Sequence, residues 1–249
     1  MRKRVKGRVK AEKMQIIAHI HTDFPTKFGV PRQSGLVEAL EGRVVFEGPY
    51  RNPDACRGLE GFSHIWLIWQ FSQALREGWT ATVRPPRLGG NKRMGVFATR
   101  SPFRPNPIGL SCVKLEGVEL TGPQGPVLHV LGADLVDGTP IYDIKPYVPF
   151  SDCRPEATGG FAQEVRDRGL EVEFPPELLE KIPAERRGGL LALLAQDPRP
   201  SYQHDPLRRY GMPFGGWDIG FTVSDGVLKV YRVTPYSSGG GSTPPQRRG

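Results

Sequence analysis

Alternating and short continuous apolar runs dominate the first 150 residues. Segments 14–21 (MQIIAHIH), 43–47 (RVVFE) and 63–71 (SHIWLIWQF) carry the pattern of half-buried or buried strands. Segments 94–99, 110–115 and 127–136 repeat it, each bounded by Gly or Pro. Few helical patterns fall between them and no βαβ alternation is visible, so a mostly antiparallel sheet or barrel is predicted. The character changes after Phe150. Segments 175–181 and 185–196 (ERRGGLLALLAQ) read as helices, the second with leucines at helical spacing. Segments 219–223 and 227–233, joined by Ser224-Asp225-Gly226, read as a hairpin, because Asp-Gly supplies the positive φ of a tight turn. The expected fold class is mainly β with α+β. An antiparallel β-barrel spans 14–152 and a smaller C-terminal α+β domain spans 153–236, between a basic flexible arm (1–13) and a flexible tail (237–249).

Composition narrows the class. A chain of 249 residues, 38% hydrophobic and 24% charged, can bury a sizeable core without cross-links. It has no run of 18 apolar residues and no apolar signal segment after its basic start, so no membrane association is expected. Cys56, Cys112 and Cys153, odd in number and far apart, fit a reducing compartment and no zinc site. A cytoplasmic protein without a metal is the expectation.

The net charge of +8 suggests nucleic acid, but its distribution matters more. Residues 1–13 carry +6 and residues 237–249 carry +2, which leaves 14–236 formally neutral. Inside that neutral stretch, 78–115 contains no Asp or Glu. It does contain Arg84, Arg87, Lys92, Arg93, Arg100, Arg104 and Lys114. Such a patch attracts phosphate or carboxylate over about 8 Å at physiological salt, and Trp79, Phe97 and Phe103 offer stacking surfaces beside it. The alternative is a basic face neutralised by acids elsewhere in the fold.

Candidate chemistry clusters in a few places. Three prolines stiffen 99–111 (TRSPFRPNPIGLS), which presents Arg100, Ser101, Arg104 and Asn106, either as a binding loop or as a solvated connection. In 134–147 (DLVDGTPIYDIKPY), Asp137-Gly138-Thr139-Pro140 reads as a turn flanked by Asp134 and Asp143. Its carboxylates can face a ligand, or Asp137 can merely cap its own turn. Pro31-Arg32-Gln33 can present a planar guanidinium and an amide. His19 and His21 share one strand face, as a metal pair or as satisfied side chains. Asp197-Pro198-Arg199-Pro200-Ser201-Tyr202 repeats the proline-stiffened style beyond a helix. A Rossmann glycine fingerprint, a P-loop, a GxSxG elbow and a zinc-deaminase pattern are all missing.

Four blocks in order, PRQSGLV (31–37), GLEGFSHIWLIWQF (58–71), GVFATRSPFRPNPIGLS (95–111) and LVDGTPIYDIKPYVPF (135–150), closely resemble the TsaA-like family. LLAQDPRPSY (193–202) resembles its bacterial full-length branch. The resemblance covers about 14–236 and implies a β-barrel enzyme that uses S-adenosylmethionine and acts as a homodimer. The implied reaction methylates the N6 nitrogen of threonylcarbamoyladenosine at position 37, in the tRNA anticodon loop. Carried over by motif, the cofactor contacts are Pro31, Arg32, Gln33, His64, Ile65, Arg100, Leu110, Asp134, Leu135, Val136 and Asp137, although His64 stands in an apolar strand where a core role is also open. Arg104, Asn106, Lys145, Arg199 and Tyr202 are the expected substrate contacts, and Asp137 or Asp143 the expected proton acceptor. Segment 203–221 matches no pattern. Competing readings are a non-catalytic RNA- or nucleotide-binding module and an enzyme acting on a small nucleotide-like acid.

Overall fold

The computed structural model describes residues 13–85, 92–162, 169–199 and 205–237. Six antiparallel strands close into a barrel in the order β1 (Ala18–Thr22), β2 (Glu41–Phe46), β7 (Val127–Leu131), β6 (Ile108–Glu119), β3 (His64–Gln70) and β8 (Thr139–Pro146). Period-two patterning decides which side chains fill it. In β1, Ala18 and Ile20 point inward and His21 outward; in β3, Ile65 and Leu67 are fully buried and Trp69 nearly so. Val44, Val113, Leu128, Val130 and Ile141 complete the interior. Full closure removes the free sheet edges that an open meander would expose. The expected barrel is therefore present.

A two-stranded ribbon, β4 (Thr82–Val83) with β5 (Met94–Gly95), projects between β3 and β6. Beyond the barrel lie α1 (Pro149–Asp152), β9 (Glu171–Glu173), α2 (Pro176–Leu179), α3 (Ala184–Ala195), β10 (Tyr210–Phe214), β11 (Trp217–Ser224) and β12 (Val227–Pro235). The last sheet has the order β10-β11-β12-β9, its β12–β9 pairing parallel. The β11–β12 turn is the expected one, with Asp225 at φ 51° and Gly226 at φ 81°.

Several boundaries differ from expectation for local reasons. Segment 94–99 pairs only through β5; Val96 then turns inward to bury its side chain in a 3-10 turn, Val96–Ala98. Segment 127–136 stops at Leu131 because Gly132 adopts φ 75° and its α-carbon lies against the Gly35 backbone, where a side chain would crowd it. The turn in 134–147 ends at Thr139, and the rest is strand β8, whose prolines and charges hide its alternation. Segment 203–221 supplies β10 and most of β11.

A second core lies under the C-terminal sheet. Leu190, Leu193 and Leu194 of α3 pack on Met212, Phe214, Ile219 and Phe221, and Phe24, Val37 and Leu40 from the β1–β2 connection join them. That connection is thus clamped between the two sheets. Phe24 meets Phe214 edge-on at 5.7 Å, Asp23 Oδ1 lies 3.4 Å from Arg186 Nε, and the Gly215 N–H donates to the Asp23 carbonyl at 2.9 Å.

Candidate active site

The clamped connection, the end of β3 and the proline-stiffened loop enclose a cavity of about 700 Å³ at one end of the barrel. That size suits a small organic ligand. Its walls include Pro31, Arg32 and Gln33, Phe71, Arg100, Phe103, Arg104, Asn106, Leu110, Asp134 and Val136. Three segments separated by up to about a hundred residues are brought together here because β3, β6 and β8 are barrel neighbours.

Asp134 is the only carboxylate among the described lining residues. The Trp69 indole N–H donates to Ser111 Oγ at 2.9 Å, and the Ser111 hydroxyl donates to Asp134 Oδ1 at 2.5 Å. Ser111 is buried among the inward positions of β6, so its hydroxyl needs these partners. Gly109 makes room for the tryptophan: a β-carbon there would collide with the indole ring. Burial raises the Asp134 pKa above the ordinary carboxylate range, opposed by hydrogen bonds from Ser111 and the backbone and by the charge of Arg100.

The rim is cationic and internally tied. Arg100 Nη1 donates to Gln33 Oε1, and Gln33 Nε2 donates to the Arg32 carbonyl at 2.6 Å. Arg104 Nη1 donates to the Thr99 carbonyl at 3.3 Å. Arg32 Nη2 donates at 3.5 Å to the carbonyls of Asp197 and Arg199, just past α3. Asp197, at φ 53°, is gripped by the Arg199 fork through two bonds of 2.8 Å. Burial alone would raise the Asp197 pKa, but the Arg199 hydrogen bonds and charge outweigh it and hold the carboxyl below the ordinary range.

The residues singled out in sequence divide sharply. Pro31, Arg32, Gln33, Arg100, Arg104, Asn106, Leu110, Asp134 and Val136 line the cavity. Leu135 is buried in the barrel core, and Ile65 is fully buried there too. His64 is exposed, bonded to Ser63 Oγ at 3.0 Å and set edge-on to Tyr147, about 20 Å along β3 from Gln70 at the cavity. Asp137 Oδ1 accepts from the Thr22 N–H at 3.1 Å and lies 3.2 Å from His21 Nδ1, fastening the β7–β8 connection to β1. Asp143 pairs with Lys145 at 2.9 Å on β8. Neither carboxylate lines the cavity, and Arg199 stands behind Arg32 rather than in the wall. Tyr202 and Arg87 lie outside the described residues. Trp69, Ser111 and Lys27 belong to or support the site without having been singled out. The signal for the first two was a tryptophan and a serine on inward positions of neighbouring strands, each needing a polar partner.

The tRNA-methyltransferase O N-terminal domain description matches residues 19–153, and the TrmO C-terminal domain description matches 167–236. A tRNA (adenine(37)-N6)-methyltransferase of Escherichia coli (strain K12) is 43% identical over 228 residues, covering 88% of this chain and 96% of that protein. A Pseudomonas aeruginosa relative named for S-adenosylmethionine-dependent methyl transfer is 43% identical over 213 residues, 82% of this chain and 88% of its own length. The crystal structure of TrmO from Pseudomonas aeruginosa superposes with a TM-score of 0.73 at 33% identity, covering 90% of this chain and all of that one. The chain belongs to the tRNA-methyltransferase O family.

Proposed function

We propose that this chain is an S-adenosylmethionine-dependent tRNA methyltransferase that methylates the N6 nitrogen of threonylcarbamoyladenosine at position 37. The observation that carries the reading is a half-buried carboxylate, Asp134, the one carboxylate among the described lining residues of a cavity rimmed by Arg32, Arg100 and Arg104. That donor set fits the cofactor: the arginines complement a carboxylate, Asp134 complements a cationic ligand, and Phe71, Leu110 and Val136 offer apolar surface to an adenine ring. When bound, S-adenosylmethionine supplies a methyl group already activated by its sulfonium. The protein's part is positioning and proton management. The N6 lone pair of a carbamoylated adenosine is delocalised, so a base that takes its proton raises its nucleophilicity. We assign that base to Asp134 in preference to Asp137 and Asp143, which are engaged away from the cavity. The Ser111 hydroxyl and the Trp69 N–H hold the carboxylate in one orientation.

The homodimer, the anticodon-loop contact and a cytoplasmic location belong to the same proposal. Exposed His64 lies at the barrel end away from the cavity of its own chain, so it is available to a second copy, whereas buried Ile65 could contribute only through its backbone. Among the described residues no helix is long and apolar enough to cross a membrane. A non-catalytic module is disfavoured by the full-length match to a named methyltransferase. Incubation with labelled S-adenosylmethionine and tRNA carrying threonylcarbamoyladenosine tests the reading. Nucleoside mass spectrometry should show one added methyl on that nucleoside and none on tRNA lacking the carbamoyl group. Binding without transfer would overturn it.

A further inference from the structure

Trp79 and Phe97, nearly twenty residues apart, meet on the solvent side of the β4–β5 ribbon. Their rings stack with centroids 6.1 Å apart and an interplanar angle of 24°, yet the side chains are 49% and 71% exposed. Isolated exposed apolar residues are ordinary, but a paired aromatic surface held open to water is not.

The pair is also held rigidly. Val96, the residue before Phe97, is buried, and its N–H donates to the Ala81 carbonyl at 2.9 Å. The Thr80 N–H donates to the Phe103 carbonyl at 3.3 Å, which ties the ribbon to the cavity wall. Phe103 itself cannot serve as a free platform, because the Arg76 guanidinium covers its ring at 3.9 Å. Exposed Arg84, Lys92 and Arg93 lie on the same ribbon, at the end away from the stack, and Arg100, three residues beyond Phe97, lines the cavity. No acidic residue occurs anywhere in 78–115. The nearest acid in sequence is the exposed Glu77, two residues before Trp79, and the ribbon beyond it carries only cations. Flat π-faces on such a basic ribbon match single-stranded nucleic acid, whose bases stack and whose phosphates pair with Arg and Lys.

We propose that the Trp79–Phe97 stack is a platform for an unpaired RNA base next to the nucleotide whose base enters the cavity. This rests on the tRNA reading above and adds a residue-level surface to it. The platform would carry sequence-tolerant affinity, and the cavity chemical selectivity.

The test uses the full chain and its Trp79→Ala, Phe97→Ala and Trp79→Phe variants. Phe97 is largely exposed and Trp79 about half so, and neither belongs to a buried core cluster, so truncation should leave folding intact. KM for modified tRNA should rise about five- to a hundredfold in Trp79→Ala, while Trp79→Phe stays near wild type. The affinity for S-adenosylmethionine and kcat at saturating tRNA should not move. An anticodon-loop oligonucleotide carrying 2-aminopurine beside the target should be quenched by wild type and not by Trp79→Ala. An unchanged KM and unchanged quenching would overturn the platform. So would a sedimentation shift to a smaller species in Trp79→Ala with loss of cofactor affinity, which would make the stack a contact between copies of this chain. Trp79-dependent quenching in a wild type that transfers no methyl would sustain the platform and refute the methyltransferase reading instead.

Discussion

Inside the barrel, Ser111 and the Trp69 N–H sit among Ile20, Leu67 and Val113 and lead to a carboxyl at the cavity, while the core beneath the C-terminal sheet is built from Leu190, Met212, Phe214 and Phe221. The second core keeps its buried charges outside, in the Asp197–Arg199 grip on the loop past α3. Both cores touch the same functional segment from opposite sides, since the β1–β2 connection carries Phe24, Val37 and Leu40 into the second core and Pro31 to Gln33 to the cavity. In the proposed reading the barrel supplies the chemistry, and the C-terminal sheet supplies the pose of the loop that would meet the ligand.

Removing the carboxylate should separate the two most strongly. Asp134→Asn keeps the shape and can still accept the Ser111 hydrogen bond, but it cannot take a proton, so kcat should fall about 10²- to 10⁴-fold. Asp137→Asn and Asp143→Asn should retain most turnover. The folded pKa of Asp134 is raised, so the folded state binds its proton more tightly than the unfolded chain. Wild-type stability should therefore decline as pH rises through the window between the two pKa values, and Asp134→Asn should lose that dependence. Activity should fall as pH drops through the raised folded value. Pre-steady-state methyl transfer and thermal melts against pH measure both; full turnover in Asp134→Asn would remove it as the proton acceptor.

Next in size is a lesion in the second core. Met212→Ala removes a fully buried side chain that packs against Gly29 and should cost about 2–5 kcal/mol of stability. If the C-terminal sheet poses the cofactor loop, KM for S-adenosylmethionine should rise as well, with kcat at saturation retained. A purely thermal effect with unchanged KM would show the two cores to be independent.

Much of this division was legible in the sequence, and its gaps have physical causes. Period-two runs such as HIWLIWQ announced β3, and the Asp-Gly turn announced the last hairpin, because each signal is local. Strand β8 was missed because Pro140, Asp143, Lys145 and Pro146 interrupt an alternation that only pairing with β1 and β3 enforces. The cavity walls from 31–33, 100–110 and 134–136 were marked by motif. The proposed preference for Asp134 over Asp137 turns on which of two carboxylates three residues apart faces the cavity, and that depends on β7 ending at Leu131, before Gly132, and on the Thr22 N–H capturing Asp137.

A smaller effect should come from the Asp197 grip. Asp197→Asn weakens the charge-assisted pair that fixes the carbonyls behind Arg32, so KM for S-adenosylmethionine should rise by about tenfold or less. The folded pKa of Asp197 is depressed. Its stabilising contribution is thus present above the unfolded value and lost as pH falls through the folded one. Calorimetric cofactor titrations at neutral pH, in mild acid and below the ordinary carboxylate range should show the wild type converging on the variant only in the last.

The smallest effect falls on Arg104, which lines the cavity and donates to the Thr99 carbonyl within the proline-stiffened loop. It belongs to the acid-free stretch, not to the charged ends that produce the net +8. If the stretch carries the tRNA contacts, Arg104→Glu should weaken tRNA binding a few-fold and lower the slope of log affinity against log salt by about one. Removing residues 1–13, which carry +6, should flatten that slope further without touching cofactor affinity. The two variants respond differently because one charge stands at the cavity and the others at the end of the chain. An Arg104→Glu protein with the wild-type slope would mean that phosphate contact is made by the termini, and that the barrel loop meets only the cofactor.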